Sequence, residues 1–217
     1  MDLFEHFTPD CQEIVKDTFL LTGFALKNEA EILLDLAAII THSPLRYMMT
    51  PMGFAMSAAM TNCGDLGWVA DKKGYRYDAL DPNTGKPWQP IPDSFLTLAS
   101  QAAKYVGFTN FMPDACLINQ YKIGASMGLH QDKDEQDFSQ PIVSVSLGMP
   151  AVFQFGGLKR SDKPIKIPLK HGDIIVWGGE SRLKFHGIMP LKATTIQTNS
   201  PAVLGAYRFN LTFRKAG

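Results

Sequence analysis

The 217-residue sequence has few cysteines, no excess of charge of either sign and no long apolar run. Cys11, Cys63 and Cys116 are odd in number, widely spaced and form no CxxC pair. That argues against a disulfide framework and a cysteine zinc site, and it suggests a reducing, cytoplasmic setting. Lys plus Arg and Asp plus Glu number 21 each, so no overall positive field draws nucleic acid from a distance, and such contact would need a local basic patch. Nowhere do about 18 apolar residues follow one another, and MDLFEHFTPD lacks the basic and apolar regions of a signal peptide, so neither membrane insertion nor secretion is expected. Internal repeats and low-complexity tracts are absent too. What remains is ordinary globular material, 45% hydrophobic and 19% charged, of a length that suits one domain.

Asn28 followed by Glu31 reads as a capping box, and Ile32, Leu33, Leu36 and Ile40 then fall on one stripe, which predicts a helix from about Glu29 to Ile40. A second helix is predicted by Pro92-Asp93-Ser94 as a start, by Phe95, Leu98, Ala99, Ala102 and Val106 on one face, and by Gly107 as a stop. Between them, residues 47–92 are rich in Met, Gly, Pro and aromatics and are expected to form short strands and loops. Met56, Ala58 and Met60 share one face of such a strand, where the methionines either fill core gaps or form a soft surface toward a substrate. From Pro113 onward, ACLINQY, IVSVSLG, AVFQF, DIIVWGG and GAYRFNLTFR are short apolar or alternating runs, the texture of a sandwich or jelly roll. The expected fold is therefore α+β, mainly β, with two N-terminal helices flanking a C-terminal antiparallel double sheet.

The stretch GLHQDKDE, residues 128–135, sets one imidazole among three carboxylates. Charged runs are usually solvated faces. On an extended strand, however, His130 and Asp132 point the same way, and His186 in KFHGI can add a third ligand. Two histidines and a carboxylate on one side of a metal suit non-haem Fe(II), although HxD alone is a weak signal. His6, His42 and His171 could equally be nominated as the third ligand, and zinc would accept the same donors. A stronger signal is RFNLTFR, where Arg208, Asn210, Thr212 and Arg214 alternate with Phe209, Leu211 and Phe213. A guanidinium on a strand with an apolar back needs an anion, either a dicarboxylate ligand or protein carboxylates such as Asp132 or Asp173.

Taken together, HQD at 130–132, His186 in FHGI and RFNLTFR at 208–214 resemble the Fe(II)- and 2-oxoglutarate-dependent dioxygenases, and among them the AlkB family of nucleic-acid demethylases in its bacterial form. LHQDKDE, IVSVSLG, FQFGGLKR and GDIIVWGGESR extend the likeness over most of 113–214, and MSAAMTNCG to Trp68 carries it into the N-terminal half. The resemblance implies a double-stranded beta-helix (jelly-roll) core over 113–217, with helices and a substrate-binding lid over 1–112. It implies Fe(II) on His130, Asp132 and His186, and 2-oxoglutarate on Asn119, Tyr121, Arg208, Asn210 and Arg214. It places Trp68 and His130 on either side of a flipped base, Asp134 at the base's exocyclic edge, Arg160 nearby, and Tyr75, Tyr77 and Lys133 on phosphates, with Met56 and Met60 in the lid. The implied reaction consumes dioxygen and 2-oxoglutarate, yields succinate and CO2, and releases the methyl group of 1-methyladenine or 3-methylcytosine as formaldehyde. No protein nucleophile is required.

The implied partner is alkylated DNA, single- or double-stranded, or RNA, with no membrane and no obligate protein partner, so a monomer is expected. Because IGASMG before His130 is uncharged, phosphate contacts should be few and the salt dependence modest. Two other readings stay open, a hydroxylase of the same chemistry on another substrate and a non-catalytic metal-binding jelly roll, whereas a cysteine hydrolase pairing Cys116 with His171 is set aside because ACLIN reads as a strand with a buried structural thiol.

Overall fold

The computed structural model describes residues 10–193 and 204–217, so His6 lies outside it. The chain begins with a hairpin that its sequence does not announce. β1 (Asp10–Val15) and β2 (Thr18–Thr22) are joined by a tight turn at Lys16-Asp17, where Asp17 has φ 60. β1 is mostly exposed and has no apolar alternation to give it away. Helix α1 (Glu29–His42) follows, and it forms without the expected capping box. A 3-10 turn over Phe24–Asn28 runs straight into it, so no side chain is needed to cap its first turn. Helix α2 (Asp93–Tyr105) lies within its predicted bounds. Among the described residues no helix is long and apolar enough to cross a membrane.

The Met-rich middle forms β3 (Arg46–Met49), β4 (Ala55–Gly64) and the hairpin of β5 (Gly67–Asp71) and β6 (Gly74–Asp78). The C-terminal half adds β7 (Ala115–Tyr121), β8 (Met127–His130), β9 (Ile142–Gly148), β10 (Ala151–Phe155), β11 (Ile165–Leu169), β12 (Ile174–Trp177), β13 (His186–Ile188) and β14 (Arg208–Arg214). They assemble into an antiparallel eight-stranded sheet, β1-β2-β12-β9-β14-β7-β4-β3, and a four-stranded sheet, β11-β10-β13-β8. The expected double sheet is thus present, but it is not purely C-terminal. Four N-terminal strands complete the larger sheet, which buries strands that would otherwise be open edges.

Strand alternation builds two cores. Phe209, Leu211 and Phe213 of β14, with Val143 and Val145 of β9 and Ile118 of β7, face Ile32, Leu36, Phe95 and Leu98 of the helices. Each such buried side chain contributes about 1.5–3 kcal/mol. The opposite faces of the same strands meet the smaller sheet, where Leu117, Tyr121, Ile142 and Ile175 pack with Phe153, Phe155 and Ile188. β14 is therefore buried on both faces, and its cationic face looks into the space between the sheets. That interior is where the chemistry-bearing residues collect.

Candidate active site

β13 pairs with β8 so that His186 lies directly opposite His130, with a bulge between His186 and Ile188. Gly187 makes this approach possible, because a Cβ there would come within 2.6 Å of the Met127 carbonyl oxygen. The two imidazole rings sit 4.4 Å apart, and His186 is wedged against Trp177 at 4.9 Å and Phe153 at 5.9 Å. Asp132 does not extend the strand, as the HxD spacing suggested. β8 ends at His130, and Asp132 lies in the loop beyond it. Even so, its carboxylate oxygens are 3.6 Å from Nε2 of each histidine.

Both imidazoles are oriented from behind. Nδ1 of His130 is 2.8 Å from the Gly128 carbonyl, and Nδ1 of His186 is 3.1 Å from the Lys184 carbonyl. A carbonyl can only accept, so each Nδ1 carries the proton and each Nε2 lone pair is directed at the Asp132 side. His130 keeps an outer edge open, with 39% of its side chain accessible. Burial of the rest of the ring and the neighbouring His186 lower its pKa to about 4, so it is neutral near pH 7. Burial pushes the Asp132 carboxyl up, but Arg214 and the two imidazoles outweigh it and hold it well below the usual carboxylate range. Two imidazoles that present Nε2 and one carboxylate, with ligand atoms within 4.8 Å of one another, are the donor set a divalent metal requires, so the residues fit the ion.

His42 and His171 are engaged elsewhere. Nδ1 of His42 contacts Ala38 O within α1, and His171 bridges Gly148 N and Glu29 Oε1. Cys116 is fully buried opposite Cys63, and burial raises its thiol pKa well above normal. A hydrolase built on Cys116 and His171 therefore has neither an accessible thiolate nor a free base.

The two arginines of β14 differ. Arg214 donates from Nε and Nη2 to Asp132 Oδ2 at 2.9 and 2.7 Å, so it takes a protein carboxylate. Arg208 is 1% exposed, donates from Nη2 to Ser146 Oγ at 3.1 Å, and among the described residues has no hydrogen-bond partner for Nε or Nη1. Burial lowers its pKa, with the Tyr121 side chain acting in the opposite direction. A buried guanidinium with unmet donors calls for an anionic ligand. The same pocket is lined by Asn119, Tyr121, Asn210 and both histidines. Asn210 is fixed by Ser144 Oγ, Val145 O and Thr212 Oγ1, whereas Asn119 Oδ1 has no hydrogen-bond partner among the described residues.

At the outer end, Trp68 Nε1 donates to Asp134 Oδ2 at 3.0 Å, and Trp68 stacks on Tyr75 at 5.6 Å. Asn62, which the sequence reading passed over, grips both backbone groups of Trp68 at 3.0 Å. Met60 is fully buried in the inter-sheet core, so of the two lid methionines only Met56 has surface to offer a ligand. The Tyr77 hydroxyl turns inward to Glu135, Lys133 is exposed, and the Arg160 guanidinium lies over the Phe185 ring at 5.9 Å. Arg182, Ser144 and Ser146 carry no ligand-like spacing in the sequence, and Glu135, which the acidic run GLHQDKDE makes look solvated, is buried.

The family model for the 2OG-Fe(II) oxygenase superfamily matches residues 17–214. The chain belongs to this superfamily. As a 2OG-Fe(II) oxygenase it is an iron-dependent dioxygenase that uses Fe(II), 2-oxoglutarate and dioxygen. It is 52% identical over 216 residues to the "Alpha-ketoglutarate-dependent dioxygenase AlkB" of Salmonella typhimurium, covering 100% of this chain and 98% of that protein. It is also 35% identical over 123 residues to the "Nucleic acid dioxygenase ALKBH1" of Mus musculus, covering 57% of this chain and 31% of that protein. The solved structure described as "The structure of OsALKBH1" superposes with a TM-score of 0.82 at 28% identity, over 95% of this chain and 100% of that one. For such a 2OG-Fe(II) oxygenase a non-catalytic metal jelly roll is no longer an open reading.

Proposed function

We propose that this dioxygenase removes N-linked methyl groups from damaged bases in DNA, with 1-methyladenine and 3-methylcytosine as substrates. One observation carries the reading: the indole N–H of Trp68 donates a hydrogen bond to the carboxylate of Asp134, two residues from Asp132 in the sequence, so that a ring face and a carboxylate lie side by side. A base methylated on its Watson-Crick edge is cationic and cannot pair, so extruding it costs less than extruding an intact base. The ring face and the exposed carboxylate both attract such a cation. The mouse relative named a nucleic acid dioxygenase supports the same substrate class.

In this reading His130, Asp132 and His186 hold the iron. When bound, iron, 2-oxoglutarate and dioxygen supply an oxidation that converts the cosubstrate to succinate and CO2 and hydroxylates the methyl carbon, which then leaves as formaldehyde. Arg208 neutralises the cosubstrate carboxylate far from the metal, and Asn119, Tyr121 and Asn210 line its path. Arg214 holds Asp132 ionised and oriented. Trp68, with Tyr75 behind it, supports the base, Asp134 reads its exocyclic edge, and Arg160 and Lys133 approach the phosphates. Residues 113–217 form the catalytic part of a single domain, and the preceding segment supplies helices and lid. The free thiols of Cys11, Cys63 and Cys116 support a reducing, cytoplasmic setting, in which the enzyme acts as a monomer.

The test is formaldehyde release from a 3-methylcytosine oligodeoxynucleotide with and without 2-oxoglutarate, with the matching oligoribonucleotide in parallel. Asp132→Ala is expected to abolish release and Asp134→Ala to cut kcat/KM by about 10–100-fold, the loss of one desolvated charge contact. Unchanged turnover in Asp134→Ala would remove the base-reading role.

A further inference from the structure

Of the run Asp132 to Glu135, Glu135 is the carboxylate that turns inward, away from both the imidazoles and solvent, with a side chain 2% exposed. Three segments distant in sequence converge on it. Oε1 accepts a hydrogen bond from the Tyr77 hydroxyl of β6 at 2.8 Å and lies 3.4 Å from Arg214 Nε of β14. Oε2 is 3.1 Å from Arg182 Nη2, off the hydrogen-bonding direction, so that contact is purely ionic. Arg182 is itself tied to Asp132 O at 2.9 Å and to Gln140 O at 3.0 Å. Two guanidiniums thus face two carboxylates, Asp132 and Glu135, in a space from which water is excluded, and the charges balance. Tyr77 is the member of this cluster that belongs to the lid. Burial raises its phenol well above the ordinary value, so it is present as a donor.

In β5 Trp68 is paired with Tyr77 of β6, so whatever fixes Tyr77 also fixes the platform across from it. We propose that Glu135 is a positioning residue: clamped between Arg182 and Arg214, it anchors the β5–β6 hairpin through Tyr77 and so holds Trp68 in register with the metal-ligand end of the core. Among the described residues the hairpin is a separate two-stranded sheet; Asn62 of β4 ties its first strand at Trp68, and the buried Tyr77–Glu135 contact ties its second strand to the core. The inference rests on the reading of Trp68 as the base platform. Glu135 touches neither base nor metal in it and acts through Tyr77.

The experiment measures amide hydrogen exchange over residues 67–78 in the full-length protein without iron or substrate, for Glu135→Gln, Tyr77→Phe and the double variant. Each single variant is expected to speed hairpin exchange about tenfold, and the double variant no more than either alone, because both remove one shared contact. With iron and 2-oxoglutarate added, KM for the methylated oligonucleotide should rise about tenfold in each single variant while kcat changes by less than about threefold. Tyr77→Phe leaves the charge cluster intact, so it carries the test even if Glu135→Gln does not fold. Unchanged hairpin exchange in Tyr77→Phe overturns the anchor. Faster exchange with unchanged KM overturns the platform reading of Trp68, and with it the positioning role, while leaving formaldehyde release itself to be judged separately.

Discussion

Arg208 and Arg214 are six residues apart on one strand, and their partners separate their roles. Arg214 is paired with Asp132 through Nε and Nη2 and also lines the pocket, whereas Arg208 holds two donors that nothing in the described protein satisfies. A buried, unmatched charge costs folding free energy that only a bound anion offsets. Arg208→Met should therefore raise the KM for 2-oxoglutarate at least about 100-fold, and yet stabilise the ligand-free protein by about 1–3 kcal/mol. Cosubstrate titration and thermal melting with and without 2-oxoglutarate check the two halves. A variant that loses stability in the ligand-free state would show that Arg208 is matched after all. The sequence carries the requirement for an anion in RFNLTFR and favours a dicarboxylate ligand over protein carboxylates, without assigning a partner to either arginine. Three-dimensional proximity gives one answer to each arginine.

At the scale of elements, the lid depends on ties between segments that local pattern does not reveal. Arg46 of β3 forms a two-pronged ion pair with Asp81 at 2.7 and 2.8 Å, fastening the loop after β6 to the edge of the large sheet. Burial pushes the Asp81 carboxyl up, but Arg46 and the Asn83 amide outweigh it, so its pKa is lowered in the folded state. A carboxyl with a depressed folded pKa contributes stability at pH values above its unfolded pKa of about 3.9 and loses it as pH falls through the folded one. Asp81→Asn should thus cost about 2 kcal/mol near neutral pH, and the gap to the parent protein should close below about pH 4. Urea midpoints for the pair at neutral and acid pH measure this, and a gap independent of pH would mean that charge is not what matters. Both helices were legible because 3.6-residue periodicity is local. The β1–β2 hairpin was not, since a mostly exposed strand has no reason to alternate.

For the whole molecule, equal numbers of acidic and basic residues leave no long-range field to gather a polyanion, so affinity must come from the base pocket and a few local cations. For a methylated single-stranded oligonucleotide, log Kd plotted against log salt should have a slope of magnitude about 1–3. A magnitude above about 5 in fluorescence anisotropy would mean an extended phosphate track. The amino-acid sequence by itself determined the donor types, histidine and carboxylate in HQD with the third histidine left open among His186, His171, His42 and His6, and the alternation on β14 that turns phenylalanines one way and arginines the other. These follow from residue identity and strand period, which are properties of neighbours along the chain. Tertiary structure alone decided which charges meet. It left Arg208 waiting for a ligand, paired Arg214 with Asp132, and turned Glu135 from a solvated loop residue into a buried anchor, because a charge's partner and its exposure depend on segments brought together from dozens of residues away along the chain.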